Sequence, residues 1–431
     1  MQIRNVTVVV APFSAGTWLD ESRVSTPLSR YPEFAERRSS WRGPGSDLVW
    51  LLIETDDPAV FGVGQSRGGV VTAALIEGHF RGMLLGRDAL DLETRVDQLH
   101  RAALPYAAGG ISSMALSAVE LALWDLAARA AGVSLAHLLG GSDRPLRHYL
   151  TCPEPQLLDE VDADLLAASA TVKVPMAYGP ADGREGLLAN LARLDETRAR
   201  VPEGIPLSVD CFMSWDLDYA TAFLRDASDH RLGWIEEPLL PDDLAGYAEL
   251  RRRQPVAVAG GEHLFGLVEA ERFLQADCAD VIQVDVTWCG GLGTARAVAE
   301  LAAERGVTFA PHGAAMHPWA VALLSSLDGS GDSAGDSGRG ASRSGDVDRD
   351  RGGNSGDGDS VGNGAAGSDT STGSRDDSTG SSGTDIGSGS GSGTGSGTLT
   401  EVLIGLGGPA QKPRASTGPG VGIDSASVGL R

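Results

Sequence analysis

Three short stretches decide the reading of this chain: SVDCF (208–212), WIEEP (234–238) and GGEH (260–263). Each follows a run of strand-forming residues and carries an acid near its end: Asp210, Glu236 and Glu262, 26 residues apart each time. That interval accommodates one strand and one helix, the repeat of a parallel α/β architecture. Acids at equivalent heights on neighbouring strands would crowd together. Like charges so close raise one another's pKa unless a cation joins them, and an all-oxygen donor set suits a hard ion, so we read Asp210, Glu236 and Glu262 as Mg2+ ligands.

Working outward, the same alternation continues in both directions. Strand candidates are HYLTC (148–152), ATVKV (170–174), IPLSVDCF (205–212), LGWIEE (232–237), VAVAGGE (256–262), DVIQVD (280–285), VTFAPH (307–312) and LTEVLIG (399–405). Residues 184–200, 292–305 and 319–327 read as helices between them. Eight strands close a barrel, so the fold class is α/β, a (β/α)8 TIM-type barrel from about 146 to 405. Strands one to seven lie within 146–327 and the eighth within 398–405. Residues 1–112 read as a smaller α+β domain, with antiparallel strands in 2–13 and 47–57 and a helix at 90–104. A linking helix at 113–145 enters the barrel.

Residues 328–397 break the pattern: 22 of these 70 residues are glycine, none is aromatic, and only Val347, Val361 and Ile386 are branched aliphatics. Such a segment cannot bury enough surface to order itself, and we read it as a solvated insertion before the eighth strand. A barrel carries its chemistry at the strands' C-terminal face, so an insertion at the opposite end need not disturb it. The net charge of −23 argues against phosphate neutralisation and against anionic membranes, so neither nucleic acid nor membrane is an expected partner. No signal-peptide pattern or membrane-length apolar run is read, which leads us to expect a cytoplasmic protein. The cysteines, at 152, 211, 278 and 289, lack metal-binding spacing and read as reduced core thiols.

Two further strands end on reactive side chains, Asp285 in DVIQVD and His312 in VTFAPH. A carboxylate bonded to one imidazole nitrogen raises the basicity of the other, so this pair is the candidate general base. Lys173 ends the second strand and is one of only two lysines in a chain whose basic residues are otherwise arginine. A compact ammonium there could stabilise a substrate carboxylate or a developing enolate, or pair with the metal carboxylates.

These residues resemble the mandelate racemase-like branch of the enolase superfamily, and within it the acid-sugar dehydratases of the L-rhamnonate dehydratase type. The likeness is carried by KVPMAYGPADGREGL (173–187), VDCFMSWDLDYA (209–220), WIEEPLLPDDLAGYAEL (234–250), GGEH, DVIQVDVTWCGGL (280–292) and PHGAA (311–315), and extends to ALWDLAARAAGV and GPGVGID. The resemblance implies a two-domain fold in which residues 1–112, joined by 406–431, form a capping domain. It implies that Asp210, Glu236 and Glu262 bind one Mg2+ per subunit and that His312 with Asp285 abstracts the C2 proton of a sugar acid. Loss of the 3-hydroxyl would give a 2-keto-3-deoxy acid. His263, Glu401 and the capping-domain Arg38 would contact substrate, and Arg23 stands where related sequences carry a histidine. Racemases of this branch use a second lysine two residues beyond the first; here that position is Pro175, which favours elimination. A homo-oligomer is expected. The alternatives are a racemase, epimerase or cycloisomerase on the same scaffold, and a non-catalytic barrel scaffold.

Overall fold

The computed structural model describes residues 1–13, 23–35, 46–107, 109–142, 145–327, 397–403, 415–426 and 428–429. The expectations for Arg38 and for residues 328–396 and 404–414 lie outside these. The N-terminal sheet consists of β1 (Ile3–Ala11), β2 (Leu48–Thr55) and β3 (Phe61–Ser66), in that order and antiparallel. Sequence reading found the first two strands and missed the third. FGVGQS lacks the β-branched signature because its glycines serve packing: a Cβ on Gly64 would lie 1.9 Å from the Ala118 carbonyl oxygen.

That carbonyl belongs to the helix Ile111–Ala131, which packs directly on β3. By length and composition this helix could cross a membrane, but most of it is buried inside the molecule. Its Ala115, Val119, Leu123 and Leu126 join the core of the N-terminal sheet, while Leu121 and Ala128 join the core of the second domain. Such an all-round apolar helix is what a shared wall between two cores requires.

The second domain is an eight-stranded parallel sheet: β4 (His148–Thr151), β5 (Val172–Pro175), β6 (Leu207–Asp210), β7 (Leu232–Glu236), β8 (Ala257–Gly260), β9 (Val281–Ile282), β10 (Thr308–Phe309) and β11 (Thr400–Leu403). Neighbours follow chain order from β4 to β10, and β11 pairs with β4. The ring closes where Phe309 N donates to Gly397 O and Leu399 N donates to Phe309 O, both at 3.0 Å. All eight predicted strands are present, shortened to their hydrogen-bonded centres, and the helices Gly183–Arg198, Leu292–Glu304 and Pro318–Leu327 lie where periodicity placed them. β4, β5 and β6 are buried throughout, as strands covered on both faces must be. The four cysteines are free and buried.

The described C-terminal residues return to the N-terminal domain. Leu135 N donates to Gly420 O at 2.9 Å, and Val421 N donates to Asp125 Oδ1 at 2.7 Å on the long helix.

Candidate active site

Parallel pairing sets the register of the acids. Asp210 and Glu236 end β6 and β7 as direct Cα partners, whereas Glu262 lies two residues beyond β8. Asp285 and His312 each lie three residues beyond their strands. The turns that follow are strained: Phe212 (φ +47°), Met213 (φ +58°) and Glu237 (φ +38°) are non-glycine residues in the left-handed region. A 2.6 Å bond from Met213 N to Glu237 O locks two of these turns together. Strain of this kind costs about 1–3 kcal/mol per residue and persists where surrounding contacts over-determine the backbone.

Inside the barrel the acids fall into two nests. The first surrounds Lys173, whose Nζ lies 2.5 Å from Glu236 Oε1, 3.0 Å from Glu401 Oε1 and 3.4 Å from Asp210 Oδ2. Three acceptors face an ammonium with three hydrogens, and the side chain is buried. In this arrangement Lys173 is counterion to the carboxylates, hydrogen-bonded to Glu236 and ion-paired with Glu401 and Asp210. Glu236 Oε2 accepts from Trp234 Nε1 at 2.9 Å and from Gln283 Nε2 at 2.8 Å. Glu401 also accepts from Thr151 Oγ1 at 2.5 Å and Gly313 N at 2.7 Å, which fix its carboxylate at the barrel wall.

The second nest is built on imidazoles. His312 Nδ1 lies 2.8 Å from Asp285 Oδ2, as the dyad requires, and Asp285 Oδ1 accepts from both N and Oγ1 of Thr287 at 2.7 Å. His312 Nε2 lies 3.2 Å from Glu262 Oε2. Burial alone would lower the His312 pKa, but Glu262 first and then Asp285 overcome it and push the pKa up to about 10. His263 Nδ1 lies 2.8 Å from Glu237 Oε2, and that carboxylate raises the His263 pKa to about 9 against the effect of burial.

Sequence reasoning missed Glu237 because it took one acid from each strand end; the doubled EE of WIEEP was the available signal. Gln283 and Trp234 were legible only as strand residues. Arg67, buried just beyond β3, was not singled out at all. Nor was Glu120 of the long helix, which accepts from the N–H groups of Leu292 (2.7 Å) and Gly293 (2.8 Å) and from Trp124 Nε1 (2.9 Å). It caps the helix behind the Asp285 loop from the other domain. Gly291 (φ +102°) is required there, since a Cβ would lie 2.1 Å from Glu120 Oε2. Arg23 pairs with Asp182 and lies over the Tyr178 ring with its guanidinium carbon 4.5 Å from the centroid, at the rim of the barrel mouth.

The donor set fits a hard divalent cation, although the described side chains do not close into the predicted trio. The tightest candidate donor group is Glu237, Glu262 and His263, whose ligand atoms lie within 4.8 Å of one another. Glu262 is common to both sets. Six buried carboxylates (Asp210, Glu236, Glu237, Glu262, Asp285 and Glu401) meet Lys173, Arg67 and two imidazoles here. With both imidazoles protonated, two positive charges are still lacking, the charge of one divalent ion. Burial first, and then neighbouring acids, push Asp210, Glu236 and Glu262 above the usual carboxylate range.

A parallel eight-stranded barrel beneath a three-stranded α+β cap, with acids at successive strand ends, is the enolase-like two-domain architecture. Residues 45–140 match the mandelate racemase/muconate lactonizing enzyme N-terminal domain and residues 167–330 the enolase C-terminal domain-like family. The chain belongs to the mandelate racemase-like branch of the enolase superfamily. Among solved structures it is similar to L-rhamnonate dehydratase from Gibberella zeae, with 30% identity and a TM-score of 0.69 over 75% of this chain and 80% of that one. A racemase from Streptomyces coelicolor A3(2) with bound magnesium is 28% identical, with a TM-score of 0.59 over 75% of this chain and 89% of that one. L-talarate/galactarate dehydratase from Salmonella typhimurium LT2, liganded with Mg and L-lyxarohydroxamate, is 25% identical, with a TM-score of 0.59 over 74% of this chain and 78% of that one.

Proposed function

We propose that this protein is a Mg2+-dependent hydro-lyase that dehydrates a sugar acid, an aldonate of the L-rhamnonate type, to a 2-keto-3-deoxy acid. The observation that carries the proposal is the His312–Asp285 pair at 2.8 Å, set among buried carboxylates at the barrel mouth. Asp285 holds Nδ1–H, and with Glu262 turned to the ion its pull on the imidazole would be relieved, leaving Nε2, now 3.2 Å from that carboxylate, as the acceptor for the C2 proton. Asp285 is itself oriented by the two Thr287 donors, which fixes the imidazole plane. Asp210, Glu236 and Glu262 would hold the ion, with Glu237 kept in place by His263. When bound, the ion would offset the negative charge that builds on the substrate carboxylate as the proton leaves.

Elimination is favoured over racemisation because Pro175, buried and paired in register with Asp210, cannot receive a proton on the opposite face. His312, once protonated, can return its proton to the departing 3-hydroxyl. The similarity to sugar-acid dehydratases supports the same reaction class.

The test is a screen of aldonic and aldaric acids with Mg2+ in deuterated water. Formation of a 2-keto-3-deoxy acid from an aldonate is the expected result, silenced by EDTA and restored by Mg2+. Deuterium exchange at C2 without keto product would instead identify a racemase or epimerase, and turnover unaffected by EDTA would remove the ion from the reaction.

A further inference from the structure

The cap contributes to the barrel mouth through the end of β3. Ser66 Oγ donates to the Thr287 carbonyl at 2.7 Å, and Gln65 Oε1 lies 3.2 Å from His317 Nδ1, whose ring reaches to within 3.9 Å of Asp285. These contacts seat the next residue, Arg67, beside the dyad. Arg67 as a whole is only 8% exposed. Nη1 donates to the Ser46 carbonyl at 3.3 Å, and the planar group lies 4.0 Å from the Phe13 ring centroid. Among the described residues no other acceptor meets its N–H groups and no carboxylate lies within 4.0 Å. Asp285 and Glu262 act on it only through space, and burial lowers its pKa in spite of them.

A buried guanidinium with one hydrogen bond and no carboxylate in direct contact is costly unless something answers its remaining donors. Lys173 is already ion-paired with three carboxylates, and both imidazoles are committed to acids. Among the described residues Arg67 is therefore a cation near the dyad with donors to spare, stacked so that its planar fork is held rigid.

We propose that Arg67 is a substrate-binding residue that receives a substrate carboxylate beneath the cap. This deepens the sugar-acid reading and rests on it only for the choice of probes. The carboxylate is either the one next to the reacting carbon or the second, distal one of an aldaric acid. Both offer the two coplanar oxygens that a guanidinium grips bidentately.

Titration calorimetry with D-gluconate and D-glucarate, which share a carbon skeleton but carry one and two carboxylates, tests this with Mg2+ present. Arg67→Gln should weaken binding about 10- to 100-fold, as expected for a lost charge-assisted pair. An equal loss for both acids places the reacting carboxylate on Arg67; a loss confined to glucarate places the distal one there. Arg67→Lys, which keeps the charge but not the fork, should recover only part of the loss. Unchanged affinity in Arg67→Gln, with or without a lower melting temperature, would overturn the proposal and leave Arg67 as a brace for Phe13 and Ser46. Wild-type protein that binds neither acid would also overturn it. Wild-type protein that binds an acid through Arg67 yet makes no keto product would defeat the dehydratase reading alone.

Discussion

Lys173 and His312 each sit among buried carboxylates in one barrel, yet the two nests behave differently. Around Lys173 the countercharge is permanent, one ammonium paired with three carboxylates. Around His312 and His263 the countercharge is carried by imidazoles, whose protons can leave. The first nest is built to stay the same, and the second to change its protonation during a reaction. Burial is nearly equal in both, so the difference comes from the cation chosen. In water these pairs would be weak; inside the barrel they set both stability and chemistry.

The largest expected effect falls on the second nest. His312→Asn should lower kcat by about 10²- to 10⁴-fold, the usual worth of a positioned general base, with Mg2+ affinity retained by calorimetry. Appreciable dehydration by that variant would take His312 out of its role. Lys173→Met should act on folding instead. It leaves three carboxylates without their cation, a loss of about 3–5 kcal/mol readable by denaturant titration, and an unaltered midpoint would mean that the first nest is not a structural element.

A smaller effect separates the nests by pH. The His263 pKa is raised from 6.5 to about 9, so its contribution is complete below pH 6.5 and is lost as pH rises through 9. Through this group chelated protein should therefore lose up to about 3 kcal/mol of stability across that window, and His263→Gln should remove that share of the slope while leaving the share of His312, whose pKa is also raised. A profile equally steep in the variant would assign the slope elsewhere. The smallest effect is expected far from both nests. Replacing residues 329–395 with a short Gly/Ser loop should leave turnover within about a factor of two, because Leu327 and Gly397 flank the barrel end opposite the acids. Lost activity in that variant would give the glycine-rich segment a part in function.

The barrel was legible because a parallel strand is short, apolar and bounded by turns, and the acids at its tip stand out against it. Asp210, Glu236, Asp285 and His312 could be placed by that logic alone. What the sequence did not carry was partner choice inside the mouth. WIEEP offers two adjacent acids, and only the left-handed turn at Glu237 sends one to Lys173 and the other to His263. The partners of Glu401, which are Lys173, Thr151 and Gly313, were equally out of reach, since each lies far along the chain. Arg67 and Glu120 were silent for the same reason. Each sits within a local pattern that explains it as a strand end or a helix position, and what marks it out, the Asp285 and Glu262 charges acting on Arg67 and the Leu292 and Gly293 donors to Glu120, lies more than 100 residues away.

The link from Glu120 to the helix beginning at Leu292 has a consequence for engineering. Ser117, Glu120 and Ser66 hold Gly290, Leu292, Gly293 and Thr287, so the segment following Asp285 is fastened to the cap at both ends. Chimeras that graft a relative's cap onto this barrel would sever those fastenings. Transplanting the cap together with residues 285–293 as one cassette keeps the seam intact, and recombination is best tolerated with crossover points placed outside it.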